Sequence, residues 1–373
     1  MSRTRIGVLF GGRSTEHEVS ILSARSIISA LDPERFEVIP LYVDRTGRWL
    51  VGTSLAELTN AQDSGAYVYL PPDPTQRSLV RAAEADSTGP GLPRLDVVFP
   101  VFHGLNGEDG TIQGVLELAN VPYVGSGVLG SALGLDKIYM KRAFQAVGLP
   151  VVDYLSVTRR QFEEDADSFV KEVETRLGYP CFVKFANSGS SVGTSKAHNR
   201  GELLTGLRLA AGFDRKLLVE RGVEARELEI SVLGNDTPEA SVVGEVVPIR
   251  EFYDYEAKYL DEGSRLIIPA EIPANLSDQM RAMAVQAFQA VDAAGMARVD
   301  FFLERGTDRV YLNEVNTIPG FTQISMYPKL WEASGLPYQR LLERLVELAI
   351  ERFEDKQRSQ TAIDTRLLRE AEA

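Results

Sequence analysis

Arg298-Val-Asp300-Phe-Phe-Leu-Glu-Arg-Gly-Thr-Asp-Arg-Val310-Tyr-Leu-Asn-Glu314-Val-Asn316-Thr-Ile-Pro-Gly320 is two apolar runs around a turn. The runs Arg298 to Leu303 and Val310 to Val315 read as strands, and Glu-Arg-Gly-Thr-Asp between them has the chemistry of a hairpin turn. Glu314 and Asn316 stand two apart and leave a strand on one face, and the facing strand can bring Asp300 opposite them. Two carboxylates and an amide suit magnesium. That ion completes its shell with water and substrate phosphates, so a nucleoside triphosphate is expected nearby. The plain alternative is a solvated acidic hairpin, but burying an unpaired acidic cluster between apolar strands is costly without a metal.

Composition bounds the rest. The 373 residues, 44% hydrophobic and 25% charged, suffice for two or three globular domains. A net charge of -13 argues against nucleic acid as the main partner, and an acidic protein handling phosphates must gather its lysines and arginines locally. The single cysteine, Cys181, excludes an intramolecular disulfide and a cysteine-based zinc site, and within Tyr179-Pro-Cys-Phe-Val183 it reads as a buried inert thiol. No apolar segment reaches 18 residues and the N-terminus lacks a signal-peptide pattern, so the expected setting is the cytoplasm, with no membrane partner.

Two stretches of the N-terminal third place polar loops at strand ends. Arg5 to Phe10 runs into Gly11-Gly-Arg-Ser14 and then a helix from Glu18 to Leu31, with Glu16 at its start. Glycines admit a ligand to the backbone and a helix start offers free amides, yet the third glycine of a dinucleotide site is missing, which removes a nicotinamide-dependent oxidoreductase. Glu16 is suited either to accept from a substrate ammonium or simply to cap the helix. Leu95 to Val101 likewise ends at Phe102-His103-Gly104, with Asn106-Gly-Glu-Asp-Gly110 behind it and a helix from Thr111 to Leu118, which favours His103 as a site element.

Residues 150 to 220 read as strand, helix (Arg160 to Leu177), strand Cys181 to Lys184, helix (Gly201 to Ala211) and strand Lys216 to Glu220. After Lys184, Asn187-Ser-Gly-Ser190-Ser191-Val-Gly193-Thr offers hydroxyls and unencumbered amides of the kind that wrap phosphates. The local sequence resembles an ATP-grasp fold and not a Walker loop. Glu220 and Glu227, at strand ends, suit an adenine amino group and ribose hydroxyls, although each alone is more often surface. Phe252-Tyr-Asp-Tyr-Glu-Ala-Lys258-Tyr259 reads as a loop that closes over a site, with Lys258 meeting the transferred phosphate.

Taken with Gly125-Ser-Gly127, Leu135-Asp-Lys137 and Gly189-Ser-Ser-Val-Gly193, these motifs in this order resemble the D-alanine–D-alanine ligase family over roughly residues 4 to 350. The resemblance implies an α/β, three-domain ATP-grasp architecture with a Rossmann-like N-terminal domain. The expected division is 1–127, 128–220 and 221–373, the last carrying lid and metal site, with the tail from about Glu354 frayed or disordered. Glu16 would hold the ammonium of the first D-alanine with His103 nearby. Lys137, Lys184, Ser190, Ser191, Glu220, Glu227, Lys258 and Phe302 would form the ATP site. Asp300, Glu314 and Asn316 would hold two magnesium ions, or manganese. Ser190 and Tyr259 would tie the lid shut, Ser325 would meet the second D-alanine's carboxylate beside Met326, and Arg298 with the Gly320 backbone would stabilise the oxyanion. Phe185 and Asn187 depart from the residues usual in the phosphate loop, and Met326 replaces a leucine. The implied product is D-alanyl-D-alanine for peptidoglycan synthesis, made through an acyl phosphate by a homodimer. D-lactate or D-serine as second substrate, or a regulator without turnover, are the rivals.

Overall fold

The computed structural model describes residues 3–52, 54–59, 66–82, 92–187, 189, 194–247 and 265–360. Ser190, Ser191, Lys258 and Tyr259 lie outside the described residues, so the expected lid and its hydrogen-bond tie do too. Within them the chain is a mixed α/β structure built on three sheets.

The first sheet comprises β1 (Thr4–Gly11), β2 (Phe36–Val43), β3 (Trp49–Val51), β4 (Ala66–Tyr69), β5 (Val80–Arg81) and β6 (Val97–Pro100), in the order β5-β4-β3-β2-β1-β6. Strand β1, next to the edge strand β6, runs parallel to both β2 and β6. Its unbroken apolar run suits a strand covered on both faces. Ile6, Val8 and Phe10 pack with Ile27 of the helix His17–Ala30 and Leu341 and Leu345 of the helix Tyr338–Gln357, while Leu9 packs with Phe102, Ile112 and Leu116. The chain leaves β1 for β2 on one side and returns with β6 on the other. A crevice therefore opens at the C-terminal ends of β1 and β6, where Gly11 and His103 stand. The helix Tyr338–Gln357 continues past Glu354, and residues 361–373 lie outside the description.

The second sheet, β7 (Tyr154–Thr158), β8 (Cys181–Phe185), β9 (Ser195–Ala197) and β10 (Lys216–Arg221), has the order β7-β10-β8-β9 and is antiparallel throughout. Phe169, Val173, Leu203 and Leu207 cover its apolar face. The single helix expected over Arg160 to Leu177 is two, Arg159–Glu164 and Ala166–Arg176. Asp165 breaks it because its carboxylate accepts from Ser168 N at 3.0 Å and caps the second helix.

The third sheet comprises β11 (Ala225–Gly234), β12 (Glu239–Val247), β13 (Arg265–Ile267), β14 (Gly295–Glu304) and β15 (Val310–Asn316), in the order β13-β12-β11-β14-β15. Leu228, Ile230, Ala297, Val299, Phe301 and Leu312 face Met280, Ala284, Ala287 and Phe288 of the helix Ala274–Ala290. Each of the larger side chains contributes roughly 1.5–3 kcal/mol by burial. Strand β15 carries a bulge: Asp300 pairs with Glu314, but Phe301 pairs with Leu312, leaving Asn313 without a partner in the register. Were Asn313 paired in regular alternation, Glu314 would share the core face of Leu312. With the bulge, Glu314 and Asn316 join Asp300 and Arg298 on the opposite face.

Candidate active site

At the crevice of the first sheet, Glu16 begins the helix His17–Ala30 but accepts no capping bond from it. It is 5% exposed. Its carboxylate is enclosed by glycines from two parts of the chain: a methyl group at Gly104 would lie 2.6 Å from Glu16 Oε2, and one at Gly189 2.7 Å. Of the two readings open in the sequence, side-chain capping of the helix is absent from the structure. His103 is buried with both ring nitrogens engaged. Nδ1 lies 3.0 Å from the Ile318 carbonyl, an acceptor, so Nδ1 carries the proton, and Nε2 accepts from the Ser23 hydroxyl at 3.3 Å. Burial, aided by the charge of Arg298, pushes His103 down to about 4 against the pull of the Ile318 carbonyl. The ring is neutral at pH 7 and acts as a strut between the two loops.

Glu108, quoted in the sequence only as part of a glycine-rich turn, is the second strut. Oε2 accepts from Gly104 N at 2.8 Å and Oε1 from Ile318 N at 3.0 Å. Burial and the nearby Glu16 push it up to about 8, with the two amides pulling the other way. Ser23 adds a third contact, accepting from Phe321 N at 3.4 Å. The loop that carries Gly320 is thus fastened to the first sheet on both sides of that residue. Ser325, at the start of the helix Met326–Ala333, sits beside Gly320 and bonds the Thr322 hydroxyl at 2.8 Å. Met326 is buried with Val246 and Leu330 and touches the Gly244 position from its sulfur side.

On the face of the third sheet away from the helix Ala274–Ala290, Arg298 grips Asp300 with two bonds of 2.7 Å and reaches Glu229 at 3.1 Å. Asn316 donates to Asp300 at 3.0 Å. Glu314, the cross-strand partner of Asp300, pairs at 2.5 Å with Lys137 of the helix Lys137–Ala146. Among the described residues no group of three His, Cys, Asp or Glu gathers for a metal. The set Asp300, Glu314 and Asn316 is instead two carboxylates and an amide on one face, oxygen donors that fit a hard divalent cation. In the structure Arg298 and Lys137 balance the charge that such a cation would meet.

Toward the second sheet, Lys184 on β8 lies 2.6 Å from one oxygen of Glu220 on β10, and Lys141 lies 2.7 Å from the other. Burial alone would raise the Glu220 carboxyl, but the two ammonium groups hold it at about 2. Glu220 is therefore not an open strand-edge acceptor, and Lys184 must leave it to meet a phosphate. Glu227 and Phe302 are register partners on β11 and β14, on the same face as Asp300. The departures at 185 and 187 have local reasons: Phe185 stacks on Phe213 with ring centroids 5.4 Å apart, and Asn187 bonds Asp214 through its side chain at 2.8 Å. Sequence reading missed Lys141, Glu108, Glu229 and Ser23. Lys141 had a signal, since it follows Lys137 by one helical turn on a face shared with Met140 and Phe144.

Lys137 meets the third sheet, Glu108 and His103 tie the first sheet to the residues after β15, and Gly189 meets Glu16, so all three sheets converge on one site. The comparisons with known proteins match that arrangement. The family described as D-ala D-ala ligase C-terminus matches residues 143–347, and its N-terminal counterpart residues 5–126. This chain belongs to the D-alanine–D-alanine ligase family. A relative from Heliobacterium modesticaldum named D-alanine–D-alanine ligase is 53% identical over 97% of this chain and 98% of its own length. One from Geobacillus kaustophilus is 48% identical over 95% and 97%. The solved D-alanine–D-alanine ligase of Coxiella burnetii superposes with a TM-score of 0.84 at 35% identity, covering 96% of this chain and 97% of that one. VanG D-Ala:D-Ser ligase of Enterococcus faecalis gives 0.83 at 34%, covering 93% and 100%. Members of this family thus share the fold while their names differ in the second amino acid.

Proposed function

We propose that this chain joins two D-alanines into D-alanyl-D-alanine, converting ATP to ADP and phosphate by phosphoryl transfer to the first carboxylate, to supply peptidoglycan synthesis in the cytoplasm. The observation that carries the proposal is the convergence of an enclosed carboxylate, Glu16, a fastened loop carrying Gly320, and the charged row Arg298, Asp300, Glu314 on neighbouring strands. The N-terminal sheet serves as the substrate unit, and the second and third sheets form the two halves of the nucleotide clamp. The family likeness supports a homodimer.

A carboxylate is a poor electrophile, so ATP first converts the first D-alanine to an acyl phosphate, and the second amine displaces phosphate from it. Glu16 accepts from the ammonium of the first D-alanine and fixes its orientation. Lys137 and Lys184 leave their carboxylates for nucleotide phosphates, and Lys258 joins them from the loop at 252–259. Asp300, Glu314 and Asn316 would hold magnesium, or manganese, which when bound neutralises phosphate charge and draws it away from the attacking oxygen. As the amine attacks, negative charge grows on the acyl oxygen. The Gly320 amide, held by the fastening of its loop, and the Arg298 guanidinium, held in place by Asp300 and Glu229, donate to it, an effect worth about 2.7–4 kcal/mol per donor. Ser325 orients the second carboxylate, and Ser190 with Tyr259 excludes water.

The test is phosphate release from ATP with magnesium and D-alanine, L-alanine, D-alanine plus D-serine, D-alanine plus D-lactate, or no amino acid, with products identified by mass. Phosphate matched one for one by D-alanyl-D-alanine, and only with D-alanine, is expected. A preference for D-serine, to which the near-equal likeness to the VanG enzyme draws attention, would move the second-substrate reading and leave the first half-reaction intact.

A further inference from the structure

We infer that Lys141 is a positioning residue of the nucleotide site: it keeps hold of Glu220 so that Lys184 can leave that carboxylate for a nucleotide phosphate. The inference rests on the nucleotide site proposed above and adds to it a residue with no direct ligand contact. Lys141 projects from the helix Lys137–Ala146 one turn beyond Lys137, and its side chain is 1% exposed. Among the described residues its ammonium meets one carboxylate, Glu220 Oε1 at 2.7 Å, and the face of the Tyr154 ring, whose centroid is 5.9 Å away. Lys184 takes the other oxygen at 2.6 Å. Two cations, Lys141 fully and Lys184 largely buried, therefore share one buried anion, while Lys184 also feels the charges of Glu314 and Glu227.

The charge count explains why. A carboxylate buried to this degree needs a cation, and removing one member of a buried pair strands the other at high cost. Were Lys184 the sole partner of Glu220, the arrival of a phosphate would have to strand Glu220, and the carboxylate would compete with the ligand for the lysine. With Lys141 in place, Glu220 stays paired when Lys184 departs. The surplus positive charge then goes to the phosphate, and the oxygen that Lys184 vacates becomes an acceptor for the adenine amino group. Burial pushes Lys141 down against the upward pull of Glu220, as expected of an ammonium with a single carboxylate partner.

The experiment measures ADP and adenosine affinities by calorimetry on the full-length chain for wild type, Lys141→Met, Glu220→Gln and the double variant, with the Michaelis constant for D-alanine alongside. Lys141→Met should weaken ADP about tenfold or more but adenosine and D-alanine by less than about threefold, because the defect lies in freeing Lys184. The double variant should recover ADP affinity to within about threefold of Glu220→Gln, since a neutral amide no longer draws Lys184 back. Equal losses of ADP and adenosine, unchanged ADP affinity, or a double variant no better than Lys141→Met would overturn the inference. If Lys141→Met does not fold, the double variant, which removes both charges together, decides alone: about tenfold weaker ADP than Glu220→Gln refutes it. A wild-type chain that binds no ADP would instead overturn the nucleotide-site reading beneath it.

Discussion

The two ends of the site are held in different ways. At the nucleotide end, side-chain charges pair with one another: Lys137 with Glu314, Lys141 and Lys184 with Glu220, Arg298 with Asp300 and Glu229. At the acyl end, side chains fasten backbone: Glu108 holds the amides of Gly104 and Ile318, His103 the Ile318 carbonyl, and Ser23 the Phe321 amide. Ion pairs can exchange one partner for another as a phosphate or cation arrives. Backbone contacts have no such alternative. The nucleotide end is therefore built to rearrange during the cycle and the acyl end to stay put, which suits phosphates that come and go beside an oxyanion that needs donors already in place.

The sharpest break of this contrast is at the exchangeable end. Glu314→Gln leaves Lys137 without its carboxylate and takes a carboxylate from the proposed cation site, so phosphate release should fall to background while thermal unfolding moves by only a few degrees. Near-normal turnover would take Glu314 out of the cation site. Arg298→Lys keeps the charge but loses the two-pronged grip on Asp300. It should lower kcat by about 10²–10³ with the Michaelis constant for ATP little changed, as for loss of one oxyanion donor. A rise confined to that Michaelis constant would mean Arg298 serves nucleotide binding alone.

At the fixed end the effects are smaller and of another kind. Gly104 has φ +74° and no room for a Cβ beside Glu16, so Gly104→Ala should displace that carboxylate and raise the Michaelis constant for the first D-alanine about tenfold. Unchanged kinetics would show that Glu16 is not the ammonium acceptor. Glu108→Gln should lower kcat about tenfold without altering ATP affinity, because the Gly320 loop loses a strut. It should also change the pH dependence of stability. The folded-state value of Glu108 lies above the unfolded one, so from about pH 5 to pH 8 the unfolded state has lost a proton that the folded state retains, and stability falls as pH rises. That slope, measured by denaturant titration at several pH values, should flatten in Glu108→Gln. Smallest of all, Cys181 is fully buried with its thiol pushed up to about 11, so thiol reagents should leave activity untouched under native conditions.

Much of this was legible in the sequence, and what escaped it shares a cause. Asp300, Glu314 and Arg298 declare themselves because their strands are largely apolar, so polar residues within them stand out, whereas Gly320 was reached only through the family resemblance. Lys141 and Glu108 do not stand out. Lys141 shares its helix face with Met140 and Phe144, a signal that hints at burial but names no partner, and a glutamate among glycines reads as a turn, because burial is a property of what packs on top. Glu220 shows the same limit from the other side: its place at a strand end was legible, but the two lysines that share it come from a helix and another strand. His103 was read as a site residue, and it stands at the site, yet its partners Ser23 and Ile318 are 80 and 215 positions away. The break at Asp165 was local and visible, since an aspartate three residues before a serine amide can compete with a continuing helix.

The bulge at Asn313 makes the site depend on counting as much as on chemistry. Everything beyond Leu312 takes its facing from the bulge: Val315 is sent to the core, and Glu314 and Asn316 to the site. Were Asn313 instead paired in regular alternation, every side chain would be present and spelled correctly, yet Glu314 would point at Phe288 and its neighbours, and Val315 at the site face; deleting Asn313 would only restore plain alternation and leave both facings as they are. In this strand a substitution changes a letter, whereas the bulge sets the reading frame of the sheet, and drawing Asn313 into the register without losing a residue is the change that would empty the site.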